Sequence, residues 1–135
     1  MSKLNSVHVF TSESVSEGHP DKVCDQVSDA ILDVCLQKDK HSRVACETAV
    51  TTNFLVNMGE ITCSKWDEID KEKLVRSVVN EIGYNRKELE FCDSTFEYEC
   101  RIHNQSDDIA TGVDSDRSLS GEQGAGDQGM MFGYA

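Results

Sequence analysis

Apolar residues recur along this chain in two rhythms, and the rhythms divide it into elements. Val7-His8-Val9-Phe10 is short and rich in β-favouring residues, which predicts a first strand. The polar run Thr11 to Gly18 reads as a loop, and a helix starts near His19-Pro20, where a proline at the first helical position sacrifices no hydrogen bond. Val23, Val27, Ala30, Ile31 and Val34 then fall on one stripe at helical spacing, and Gln37-Lys38-Asp39-Lys40 ends it. Arg43 to Thr62 carries two β-favouring runs separated by Thr52-Asn53, which predicts an antiparallel hairpin. A second helix follows, capped by Asp67 or Asp70, with Leu74, Val75, Val78, Val79 and Ile82 on its apolar face and Gly83 at its C-terminal stop.

The clearest alternation runs from Thr95 to Asn104, where Phe96, Tyr98, Cys100 and Ile102 are interleaved with Glu97, Glu99, Arg101 and His103. It predicts a strand with one buried and one solvated face. The expected order is therefore β-α-β-β-α-β, an α+β fold with a mixed or antiparallel sheet covered by helices on one face. Residues 105–126 break the rhythm: they are rich in Asp, Ser and Gly and have almost no apolar periodicity. A structureless stretch of that length usually serves as a lid or binding loop. Residues 127–135 read as the beginning of a further, truncated domain, so the chain divides into 1–104, 105–126 and 127–135.

Charge narrows the function. With 13 Lys and Arg against 25 Asp and Glu, the net charge of −12 excludes a nucleic-acid-backbone binder. No apolar run approaches the roughly 20 residues of a membrane span, and Met1 to Val7 lacks the apolar core of a signal peptide, so a cytoplasmic location is expected. Six cysteines without any C-x-x-C spacing are expected to be reduced and mostly buried as small apolar residues.

Several local patterns carry chemistry. Gly124-Ala125-Gly126-Asp127-Gln128-Gly129 spells G-x-G-x-x-G, but a loop precedes it, no helix follows, and Asp127 would repel a pyrophosphate. Its glycines instead suit presentation of Asp127 at a site. Asp114-x-Asp116 lacks the glycine and the position-twelve glutamate of a calcium loop, because Leu119 and Ala125 stand there. Glu17-Gly18-His19-Pro20-Asp21-Lys22 places an imidazole, a carboxylate and a lysine at a helix N-terminus. That suits a polyphosphate with Mg²⁺ held by Asp21, or simply a helix start in which His19 caps and Asp21 complements the dipole. Glu47 interrupts an apolar strand between Ala45 and Ala49, facing either a small-residue pocket or solvent, and Glu60 after Gly59 is similarly ambiguous.

Taken together, Phe10 to Lys22, Ala45-Cys46-Glu47-Thr48, Gly59-Glu60-Ile61-Thr62, Ile82-Gly83-Tyr84 and Gly124 to Ala135 resemble the S-adenosylmethionine synthetases (methionine adenosyltransferases), in that family's order and over nearly the whole chain. The resemblance implies transfer of the adenosyl group of ATP to L-methionine, with the displaced triphosphate cleaved to phosphate and pyrophosphate. It implies Mg²⁺, two per site, and K⁺. It also implies a homodimer or homotetramer whose sites lie between subunits. His19 would contact the triphosphate near the departing oxygen. Asp21, with Glu13 as a second candidate, would ligate Mg²⁺, and Glu47 matches the position associated with K⁺. Glu60 and Gln105 match methionine-binding positions, and Asp127 matches one at the adenosine and methionine end. Residues 105–126 would be the family's active-site loop.

Two departures stand out. Gln105-Ser106-Asp107-Asp108-Ile109 has Asp107 where the family commonly has proline, which leaves the backbone freer and points to altered loop closure. Family members are also much longer, so the 135-residue chain is expected to be inactive alone. The competing reading is a noncatalytic truncated partner of a full-length subunit. A polyphosphate hydrolase using His19 and Asp21 would leave Glu60 and Gln105 without purpose.

Overall fold

The computed structural model describes residues 8–105. Its first element is a helix, α1 (Pro20–Lys38), with proline at its start and His19 in extended conformation as the N-cap. Val23, Val27, Ile31 and Cys35 recur every four residues and are the buried stripe of this helix. The helix stops where Asp39 turns extended and its amide donates to the Cys35 carbonyl at 2.8 Å.

The hairpin predicted from residues 43–62 is present as β1 (Arg43–Thr51) and β2 (Phe54–Thr62), paired antiparallel. Thr52-Asn53 makes the turn, with Asn53 at φ 55°, a left-handed conformation that asparagine tolerates better than most residues. A short 3₁₀ turn (Trp66–Glu68) leads into α2 (Lys71–Ile82). Asp70 is its cap, accepting from the Lys73 amide at 3.0 Å, while Asp67 lies in the preceding turn. Gly83 ends α2 at φ 112°. β3 (Glu97–His103) then adds parallel to β2, which gives a mixed three-stranded sheet in the order β1-β2-β3.

The two helices cover one face of this sheet. Val44, Cys46, Thr48 and Val50 of β1 share that face with Leu55, Asn57 and Ile61 of β2 and Tyr98 and Ile102 of β3. A line of polar groups crosses it. Ser28 of α1 meets the Thr48 hydroxyl at 2.7 Å, Asn57 Nδ2 donates to Thr48 at 2.8 Å, and the Tyr98 hydroxyl donates to Asn57 Oδ1 at 2.9 Å. Asn57 is fully buried, and these bonds supply the partners its amide requires. Around it Leu55, Ile61, Val75, Val79 and Phe96 close the core. Phe96 stacks on Phe91 at 5.1 Å, and Arg76 lies over its ring while donating to the carbonyls of Asp93 and Phe96.

Two expectations need correction. His8, Val9 and Phe10 form no strand: Val9 is 84% and Phe10 92% exposed, and no edge of the three-stranded sheet pairs with them. β-propensity reports fitness for a half-buried pleat, and among the described residues no strand pairs with these. The described order is thus α-β-β-α-β. Cys100, expected on the buried face of β3, is exposed because it sits on the edge strand while the helices pack chiefly on β1 and on each other.

The close approach of β1 and β2 depends on Gly59. It has φ 128°, and a Cβ there would lie 2.1 Å from the Ala45 carbonyl oxygen. Gly59→Ala should therefore cost more than about 2 kcal/mol in urea unfolding, and a loss below about 0.5 kcal/mol would contradict this packing. A second expectation concerns acid. Asp39 accepts from the amides of Ser64 and His41, which pull its carboxyl from the usual 3.8 down to about 2. A folded-state value below the unfolded one stabilises the fold above about pH 4, and that contribution is lost as pH falls toward 2. Asp39→Asn should flatten this part of the stability profile; an unchanged profile would refute the linkage.

Candidate functional site

The start of α1 is held from three sides. The His19 amide donates to the Ser16 carbonyl at 2.9 Å, and Gln26 reaches back to the Glu17 carbonyl at 3.2 Å. The Tyr84 hydroxyl donates to the Gly18 carbonyl at 2.6 Å. Within this frame His19 Nδ1 accepts from the Asp21 amide at 3.1 Å. A neutral imidazole that accepts at Nδ1 carries its proton on Nε2, so the outward nitrogen is a donor. The Asp21 carboxylate lies 3.9 Å from Nδ1 and is 82% exposed. The structural reading of the sequence pattern (His19 as cap, Asp21 in the first turn) is therefore realised, and it leaves both groups facing outward. Glu13 lies upstream in an exposed segment without regular structure. A cavity of about 590 Å³ adjoins this corner, lined by Gly18, Pro20, Val23, Val50, Tyr84 and Phe91 among others.

The remaining described candidates sit elsewhere. In register, Glu47 faces Met58 and Glu60 faces Ala45, which makes the two carboxylates diagonal neighbours on the sheet face opposite the helices. Glu47 is exposed, so of its two readings solvent is the one realised; Glu60 is half-buried. His103 of β3 stands beside Glu60 and Arg101 beside Met58. Gln105, just past β3, is tied to the start of β1 by a 2.6 Å hydrogen bond from Arg43 Nε to its Oε1.

The structure thus makes two groups. His19 and Asp21 stand on the helix side, by the turn that joins β1 to β2. Glu47, Glu60 and Gln105 belong to the open face, and Gln105 is at the other end of β1. The strand separates those ends by about 25 Å at its usual rise per residue. The two groups do not meet within one chain. Asp127, residues 106–126 and the start of a further domain lie outside the described residues. Tyr84 and Arg43, which fix the backbone and the side chain of candidate residues, were not found from sequence as site-forming. Their bonds span 66 and 62 positions, and no local spacing announces them.

Among the described residues no group of three or more His, Cys, Asp or Glu is arranged to hold a metal ion. A lone exposed carboxylate such as Asp21 still has the right chemistry for Mg²⁺ that arrives with phosphate oxygens, because such ions take only one or two protein carboxylates. The six cysteines are unpaired. Burial pushes the Cys35 thiol up to about 12 and the Cys46 thiol up to about 11. No helix among the described residues is long and apolar enough to cross a membrane.

Residues 7–107 match the sequence profile of the S-adenosylmethionine synthetase N-terminal domain. That span includes both groups of candidate residues up to Gln105 and excludes Asp127.

The thiols give a direct check of the packing. Cys100 should be alkylated first by iodoacetamide at pH 8, whereas Cys35 and Cys92, buried, should react only after denaturant is added. Labelling of Cys35 in the native protein at the rate of Cys100 would contradict the described core.

Proposed function

The chain belongs to the S-adenosylmethionine synthetase family, and from that premise we propose that it carries part of the active site of a methionine adenosyltransferase, which makes S-adenosylmethionine from ATP and L-methionine. In this reaction the thioether sulfur forms a bond to C5′ of ATP as the C5′–O bond breaks, and the electron pair leaves with the triphosphate. Water then cleaves the triphosphate to phosphate and pyrophosphate. The sulfur carries no proton to lose, so the protein's task in the first step is to orient the reactants and stabilise charge on the departing oxygens.

The observation that carries this reading is the His19 ring. Its Nδ1 is committed to the Asp21 amide, which fixes the ring and presents Nε2–H as a donor at the positive end of a 19-residue helix. That suits an anionic leaving group. Asp21, with Glu13 as the second candidate, would hold Mg²⁺, and Glu47 would hold K⁺; bound there, the cations would offset triphosphate charge. Glu60 would pair with the methionine ammonium. Gln105, whose carbonyl oxygen accepts from Arg43, would offer its amide N–H groups to the methionine carboxylate. Asp127, outside the described residues, would complete the adenosine and methionine end.

The separation of the two groups supports a site shared between subunits. His19 and Asp21, at the hairpin-turn end of one chain, would meet Glu60 and Gln105 on the open sheet face of another. That face intersperses Ala45, Ala49, Val56 and Met58 with its charges, a surface suited to a homodimer, alone or as half of a tetramer. The unpaired thiols suit the reducing cytoplasm.

Incubation of the active protein with ATP, methionine, Mg²⁺ and K⁺ should yield S-adenosylmethionine. His19→Ala should lower kcat by about 10²-fold or more. Loss of the cap should cost the fold only about 0.5–2 kcal/mol. Unchanged kcat in His19→Ala would refute the assigned role.

A further inference from the structure

The residue that fixes the start of α1 comes from the far side of α2. Gly83 stops α2 in the left-handed conformation, and the Tyr84 amide returns to the Val79 carbonyl at 3.1 Å. The Tyr84 carbonyl in turn accepts from the Asp93 amide at 2.8 Å, and its ring meets Phe91 edge-on at 5.4 Å. Backbone and ring are both held, so the hydroxyl is delivered to one place, the Gly18 carbonyl. That carbonyl belongs to the same peptide unit as the His19 amide, which donates to Ser16. The Gly18–His19 peptide plane is therefore pinned at both ends. A Cβ at Gly18 would lie in van der Waals contact with the Tyr84 hydroxyl, 3.4 Å away.

We propose that Tyr84 is a positioning residue, which sets the plane of the Gly18–His19 peptide and through it the direction in which His19 presents Nε2–H. The role rests on the reading of His19 given above, and Tyr84 itself touches no reactant. Rotation of this peptide would swing the His19 Cα–Cβ bond and loosen the Nδ1 contact with the Asp21 amide. The ring nitrogens would then share the proton, and the donor would no longer face one direction. The bond forms between residues 66 positions apart and couples the C-terminal stop of α2 to the first turn of α1. Anything that shifts the 84–93 segment, which also lines the neighbouring cavity, moves the histidine.

The test is Tyr84→Phe, which keeps the ring against Phe91 and removes only the hydroxyl. Two measurements are made. In the 135-residue chain, ¹⁵N NMR of the histidine rings should show His19 as the Nε2–H tautomer in the parent and a mixture in Tyr84→Phe, with the other histidines unchanged. In the active protein, kcat per folded molecule should fall about tenfold while KM for methionine stays within about twofold; a general loss of folded protein would lower the apparent kcat but not the value normalised to the folded fraction. An unaltered His19 tautomer, an unchanged kcat, or a fall that merely tracks the folded fraction would overturn the proposal. If the parent makes no S-adenosylmethionine, the functional reading fails and the NMR result alone decides whether Tyr84 positions His19.

Discussion

The register of β1 against β2 is the constraint on which the rest depends. Side chains alternate strictly across a strand, so a slip of one residue would turn one strand over, carrying either Glu47 of β1 or Glu60 of β2 to the helix side and Thr48 or Leu55 of the same strand to water. Three features hold the register. Thr52-Asn53 closes the hairpin in two residues, with Asn53 in the left-handed region. Gly59 lets the Ala45 carbonyl approach where any side chain would collide. Asn57, buried with no water to turn to, finds Thr48 and Tyr98 only in this alignment. The polar bonds matter here less for their net energy than for the cost of every alternative that leaves them unmade.

The helices follow from that sheet. α1 seats its stripe from Val23 to Cys35 on the face that the register makes apolar, with Ser28 bonded to Thr48. Once α1 is placed, its N-terminus stands at the turn of the hairpin, within reach of the segment that follows α2. The net charge of −12 takes on a location in this arrangement. Glu47, Glu60, Glu97 and Glu99 share the uncovered face with Arg43, Arg101 and His103, while the helix-covered face carries no ionised group. Carboxylates on that face have the chemistry to meet cations and an ammonium group, which is what the proposed reaction asks of Glu47 and Glu60, while Glu99 is paired with Arg101.

Much of this architecture was legible in the sequence because its signals are local. Apolar spacing marked both helices, Pro20 and Gly83 their limits, and alternation marked residues 95–104 as a strand. Failures came where a distant partner decides the outcome. Val7 to Phe10 has strand-forming residues, yet residues 8–10 join no ladder among the described residues. Cys100 follows the alternation, yet an edge strand leaves it uncovered. The motifs around His19, Glu47 and Glu60 identified the family, but not that they divide between two faces, because facing is set by pairing. Tyr84 and Arg43 act through bonds that span more than sixty residues; Ile82-Gly83-Tyr84 contributed to the family resemblance, but no local pattern announced that its hydroxyl reaches Gly18 or that Arg43 reaches Gln105.

In the proposed enzyme the helix-start group of one subunit works with the open-face group of another. Mixing two variants of the active protein tests it: one subunit with His19→Ala, the other with Glu60→Gln, each inactive alone, unfolded and refolded together. Random pairing makes half the dimers mixed, and each mixed dimer holds one intact site and one site with both lesions. A site shared in this way therefore restores about a quarter of the parental rate of S-adenosylmethionine formation. Activity no higher than that of the separate variants would contradict it, because both residues would then serve a site within their own chain.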